Sequence, residues 1–269
     1  TDLEITNGTI GFAIPAGVTA LNTISIDRPG QIIAHAAALT LQTTCTVTSG
    51  ILVNTGGNFV VTTTTSVGSD GKLDFSGMGA FTVTFQDDLT NNGEIDISTL
   101  TGLVTVADDL LGTGTLTTDD ATKLTLGDGG APAAVTLPGS VADLYDLTVN
   151  LAGAGNDVTM SGDLHIHNGL TLTQGDLVVG SNLLKIENAA TAAIATVVTT
   201  ASSSLYLIGS AATQLPSTIV AVDDFTMDYS ANGVTIPASQ SLAVAGDLNI
   251  IAGTLTSTGG GGGEAITVG

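Results

Sequence analysis

The run "GDLHIHNG" places Asp163, His165 and His167 at alternate positions. In an extended strand alternate side chains share one face, so these three point together while Leu164 and Ile166 point the other way. Two imidazoles and a carboxylate on one face can hold a transition metal. The same pattern is also what an exposed polar strand face looks like, and both readings stand at this level. The third histidine, His35 in "IIAHAAA", reads as a packed or edge residue, and Cys45 in "TTCTVT" as a small, inert strand residue. A single cysteine allows no internal disulfide.

A second chemical signal is acidic. The chain carries 25 Asp and Glu against four Lys and Arg, a formal charge of −21. That balance argues against nucleic acid and against insertion into or binding on an anionic membrane. The basic residues Arg28, Lys72, Lys123 and Lys185 are scattered, which disfavours the cationic base a polysaccharide lyase needs. The expectation is therefore a protein that is not an enzyme. Asp87, Asp88, Asp108, Asp109 and Asp128, with Asp176, Asp223, Asp224 and Asp247, fall at similar offsets in successive sequence units. Asp favours turns because its side chain bonds its own backbone. Stacked turns would also bring like charges to about 5–6 Å, costing about 0.7 kcal/mol per pair even at the dielectric of water. Calcium or low pH would relieve that repulsion, so Asp87, Asp88, Asp108, Asp109 and Asp128 form a candidate Ca2+ ladder. Asn7, in Asn7-Gly8-Thr9, is a candidate N-glycosylation acceptor, and outward Thr residues are candidates for O-linked sugar.

The elements that must position these groups are repetitive. Strand openings of one style recur at Val18, Leu39, Phe59, Phe81, Leu103, Leu124, Leu147, Leu170, Ile194, Ile219, Leu242 and Ala265, spaced 20 to 25 residues apart. Each unit holds two or three alternating segments of about four residues, separated by Gly, Asn, Asp or Ser. No stretch carries a capped helical stripe, and no apolar run is long enough to span a membrane. Aromatics are 3% of the chain and Trp is absent, so the core must be built from Leu, Ile and Val. A repeat of this length predicts an all-β fold: one domain over residues 1–269, a single-stranded parallel β-solenoid (β-helix) of about twelve coils. A β-sandwich of many short strands is the alternative. The inward positions are expected to include Leu147, Val149, Leu164, Ile166, Leu170, Leu172, Leu177, Val179, Leu184 and Ile186.

The stretch from Asp146 to Ile186, "DLTVNLAGAGNDVTMSGDLHIHNGLTLTQGDLVVGSNLLKI", resembles the Thr/Gly/Asn-rich repeats of bacterial surface β-helix proteins of the filamentous-haemagglutinin and autotransporter-adhesin kind. The resemblance is one of repeat style. It implies secretion, an extracellular or cell-surface location and a structural or adhesive role, and it transfers no functional residue.

The chain opens on Thr1 without a Met, which reads as a mature chain with its export signal removed or as a trimmed one. Residues 265–269 and 1–17 together make one coil length. Asp2, Leu3, Ile5, Ala265, Ile266 and Val268 are thus expected to build a coil shared or exchanged between subunits. The resulting expectation is a secreted structural subunit, its partner another copy of itself, polymerising head to tail into an extracellular filament. An adhesin or glycan-binding passenger segment of a longer surface protein, with surface glycans as partners, is the alternative, and a polysaccharide-active enzyme the third reading.

Overall fold

The structure is a computed structural model that describes residues 1–6, 11–130, 135–153, 155–189, 194, 196–258 and 266–269. Among these residues there is no helix, and the strands wind into a parallel β-solenoid of about twelve turns. Every strand pairing is parallel.

Each turn contributes to three faces. The first runs through Ala20–Leu21, Leu39–Leu41, Phe59–Val61, Val83–Phe85, Leu103–Val106 and Lys123–Leu126, then residues 146–149 and 169–172. The second starts at Leu3–Ile5 and passes residues 24–26, 45–47 and 65–67 to Leu89–Asn91 and Leu110–Leu111. It resumes in Val135–Leu137, Val158–Met160, Leu177–Val178 and Val197–Val198. Ala221–Val222, Leu242–Val244 and Ile266–Val268 form a further ladder, and the Thr199 hydroxyl ties the two by donating to the Ala221 carbonyl at 2.8 Å. The third face begins at Phe12–Ala13 and includes Glu94–Asp96 and Thr115–Thr117. Farther along it holds residues 164–166, Leu183–Ile186, 205–207, 225–227 and 248–250.

Alternation sets what goes inside. Along Leu39–Leu41 and Phe59–Val61 the outer two residues are buried and the middle one half-buried, because successive side chains leave opposite faces of a strand. The inward residues join one continuous core along the axis. Of the ten inward positions expected between Leu147 and Ile186, all are buried except Leu172, which is only partly covered. Three of the nine aromatics cluster: the rings of Phe59 and Phe75 lie 4.9 Å apart, with Phe85 at 6.5 and 6.4 Å from them. Some polar residues inside are bonded within and between turns, while Thr65 Oγ1 and Gln240 Oε1 are buried without a partner. The Asn91 amide donates to the Thr115 carbonyl at 2.9 Å and accepts from the Gly93 N–H at 3.1 Å. Where turns pass closest the chain uses glycine. Gly112 has φ +97°, and a Cβ there would stand 2.1 Å from the Asn91 carbonyl oxygen, so both conformation and space exclude a side chain.

One sequence expectation is corrected by the register. The openings from Val18 to Leu170 lead into the first face, but Leu242 opens on the second, and Ile194 and Ile219 sit just before second-face strands. Coil lengths vary by several residues, so an average period slips by a third of a turn unnoticed. Leu3, Ile5, Ile266 and Val268 consequently all belong to the second face. The two terminal strands occupy equivalent positions rather than successive parts of one coil, and the shared-coil arithmetic does not describe the geometry. Ala265 lies outside the described residues.

Among the described residues, the outermost turns leave inward positions uncovered. Ile250, Ile266 and Val268 occupy the inward register of Met227, Leu242 and Val244, yet they are 45%, 39% and 50% exposed, where those partners are 0–1%. At the other end Phe12, in register with the buried Ile33, is 46% exposed.

Candidate functional site

The two outward histidines become the centre of a four-residue cluster once turns are stacked. His165 and His167 stand on the third face, with Leu164 and Ile166 packed inward at 2% and 0% exposure. Register puts Asp143 beside His165 from the preceding turn and Lys185 from the following one. Glu187 follows Ile186 and is held level with His167 by its N–H, which donates to the Ile166 carbonyl at 2.9 Å.

The imidazole rings lie 3.7 Å apart between centroids. Each is bracketed by both carboxylates. His165 Nε2 is 2.9 Å from Glu187 Oε1 and its Nδ1 is 3.5 Å from Asp143 Oδ1. His167 Nε2 is 2.9 Å from Asp143 Oδ1 and its Nδ1 is 3.9 Å from Glu187 Oε1. Lys185 Nζ approaches Glu187 at 3.8 Å and lies over the Tyr206 ring. Burial, helped by the neighbouring His167 and Lys185, outweighs the Glu187 bond and lowers the His165 imidazole from its ordinary value.

Asp163, expected to complete the trio, does not join it. Its Oδ1 accepts the Leu183 N–H at 2.8 Å, because the residue stands at the corner and its carboxylate serves the adjoining turn. The members that sequence reading missed, Asp143 and Glu187, lie 22 residues either side of His165. A step of one coil length was the available signal.

The acidic corner is real for part of its expected length. Asp87, Asp108 and Asp128 each follow by two residues the paired positions Phe85, Val106 and Leu126, and Asp88 and Asp109 precede the paired Leu89 and Leu110. One carboxylate oxygen from each of Asp87, Asp88 and Asp108 comes within 4.8 Å of the others. Turn bonds account for the local geometry: Asp87 Oδ1 accepts the Asp88 N–H at 3.0 Å, and Asp128 Oδ1 the Gly130 N–H at 2.8 Å. Burial, then the charges of Asp109, Asp88, Asp87 and Asp128, raises the Asp108 carboxyl above its usual value. Asp176 meets Asp157 at the same corner and is raised by burial and by that neighbour. Asp2 precedes Leu3 as Asp88 precedes Leu89, which puts it there too. Asp223, Asp224 and Asp247 do not belong to this corner. They precede the third-face residues Phe225 and Leu248, a misplacement that follows from the slipped coil openings.

The remaining groups resolve simply. Cys45 is fully buried, and burial pushes its thiol up to about 12. His35 is buried at 1%, with Nε2 3.0 Å from the Val18 carbonyl oxygen. Lys72 pairs with Glu94 at 2.7 Å and Asp96 at 3.2 Å. Asn7 lies outside the described residues.

Comparison of the chain with family models, curated proteins and solved structures returns no match in any of the three.

Proposed function

We propose that the chain is a structural rod of the extracellular surface that lengthens by stacking its last turn on the first turn of a second copy. The observation that carries this reading is the uncovered inward register of the outermost described turns: Ile250, Ile266 and Val268 on one, Phe12 on the other. Among the described residues the outermost strands also pair on one side only, leaving backbone donors and acceptors as a template for another strand.

A second copy suits these edges better than an unrelated partner. The exposed positions have the same apolar types and spacing as the internal turns that already stack on themselves. All ladders are parallel, so the edge left by Ile266–Val268 continues in the same sense into an edge such as Leu3–Ile5. The contact joins unlike ends, and such a heterologous contact that does not close yields an open fibre. Extracellular placement is supported by the repeat-style resemblance to bacterial surface β-helix proteins and by the acidic surface.

The test uses two blocked ends. Phe12→Asp spoils the first turn and Val268→Asp the last. The unsubstituted chain should form rods longer than one subunit, about 58 Å for twelve turns at about 4.8 Å each, seen by negative-stain microscopy. Each variant alone should be monomeric by light scattering. Mixed together they should give dimers and nothing longer, since one good end of each kind remains. A chain that stays monomeric without substitution, or variants that polymerise alone, refutes the reading and leaves the adhesive, glycan-binding alternative to be tested on a glycan array.

A further inference from the structure

The pair His165 and His167 sits between two carboxylates that differ in what they can do. Glu187 Oε1 accepts from His165 Nε2 at 2.9 Å. That contact leaves Nδ1 of His165 on the side of Asp143 Oδ1, 3.5 Å away. His167 Nε2 reaches the same oxygen at 2.9 Å. A ring nitrogen and a carboxylate oxygen, both metal-ligating atom types, thus face each other at a spacing that a bound cation would bridge. One donor atom from each of Asp143, His165 and His167 lies within 4.8 Å of the other two. In a tetrahedral site with bonds of about 2.0–2.1 Å, ligand atoms stand about 3.4 Å apart. His165 Nδ1 stands near that spacing from Asp143 Oδ1, at 3.5 Å, and His167 Nε2 somewhat inside it, at 2.9 Å.

We propose that Asp143, His165 and His167 form a binding site for a divalent transition metal, Zn2+ or Cu2+, on the third face of the solenoid. Asp143 supplies an oxygen, His165 its Nδ1 and His167 its Nε2. Glu187 then acts on the His165 ring from the far side, the carboxylate–histidine–metal arrangement that orients the imidazole and raises its basicity. Lys185, 3.8 Å from Glu187, balances the charge of that carboxylate, which keeps it as a hydrogen-bond acceptor and not a fourth ligand. Three protein ligands leave one position for water.

The donor set selects the metal class. Two imidazoles favour zinc and copper over calcium, which prefers an all-oxygen shell. The ligands come from two consecutive turns and Glu187 from a third, so a bound ion fastens turns together and should raise the melting temperature. The proposal concerns a face away from the end turns and stands or falls independently of stacking.

The experiment is calorimetric titration of the untagged, chelator-treated chain with ZnCl2 at pH 7.5, with CaCl2 titrated in parallel, alongside melting curves. Expected are one zinc per chain, Kd at or below about 10 μM and a zinc-dependent rise in melting temperature, with calcium giving neither at this site. His165→Ala and His167→Gln should each weaken binding at least tenfold, and Asp143→Asn about tenfold. Glu187→Gln should weaken binding about tenfold or more, as second ligand layers do, while Asp163→Asn and Asp108→Asn leave it unchanged. Circular dichroism of the metal-free variants checks that the solenoid persists, and His167→Gln keeps the side-chain volume should His165→Ala disturb it. The proposal is overturned if zinc produces neither heat nor a melting shift, if His165→Ala and His167→Gln bind as well as the parent, or if Asp108→Asn abolishes binding.

Discussion

Truncating Phe75 to alanine tests how the solenoid core is built. The ring is fully buried, 4.9 Å from Phe59 and 6.4 Å from Phe85. Removing a buried phenyl ring costs about 3–5 kcal/mol through lost transfer energy and the residual cavity. Its neighbours come from stacked turns whose ladders resist collapse, which argues for the upper half of that range. Of this, each aromatic pair contributes about 0.5–1.5 kcal/mol beyond area, so a double-mutant cycle of Phe59→Leu with Phe75→Leu should return a coupling of that size. The control is Phe81→Ala, 44% exposed, expected to change stability by no more than about 0.5 kcal/mol. Guanidinium unfolding followed by circular dichroism reads all of these, and hydrogen exchange shows whether the loss is centred on the turns around Phe75, as nearest-neighbour energetics in a solenoid requires. Equal effects of Phe75→Ala and Phe81→Ala, or additive losses in the cycle, would refute a core held by this aromatic stack.

Two other expectations concern ionisation. Asp108 is raised above its unfolded value, so its contribution favours the fold fully below about pH 4 and is lost as pH rises through the folded value. Asp108→Asn should accordingly melt higher than the parent at pH 7 and equal to it near pH 3, with the gap opening between; a gap independent of pH would show that the corner repulsion is negligible. The Cys45 thiol, fully buried and pushed up to about 12, should fail to react with a disulfide reagent at pH 8 until denaturant is added, and prompt reaction of the native chain would contradict the burial.

The alternation of apolar residues in segments such as "LTLTQG" and the recurrence of Gly, Asn, Asp and Ser determine strands, turns and a coil of 20 to 25 residues, because side-chain direction in a strand is a local property of period two. The inward sets around Leu147–Ile186 follow from that alone. Face identity does not, since it depends on the summed lengths of every preceding corner. A few added residues carried the apparent openings from the first face at Leu170 to the second at Leu242, and with them the expected corner for Asp223, Asp224 and Asp247. The histidine cluster shows the same division. His165 and His167 share a face by local alternation, but Asp143 and Glu187 reach them only through the hydrogen-bonded register of three turns. Asp163, two residues from His165, is turned to the corner and the Leu183 N–H. Neighbours along a strand are given by sequence; neighbours along the axis are given by the ladder.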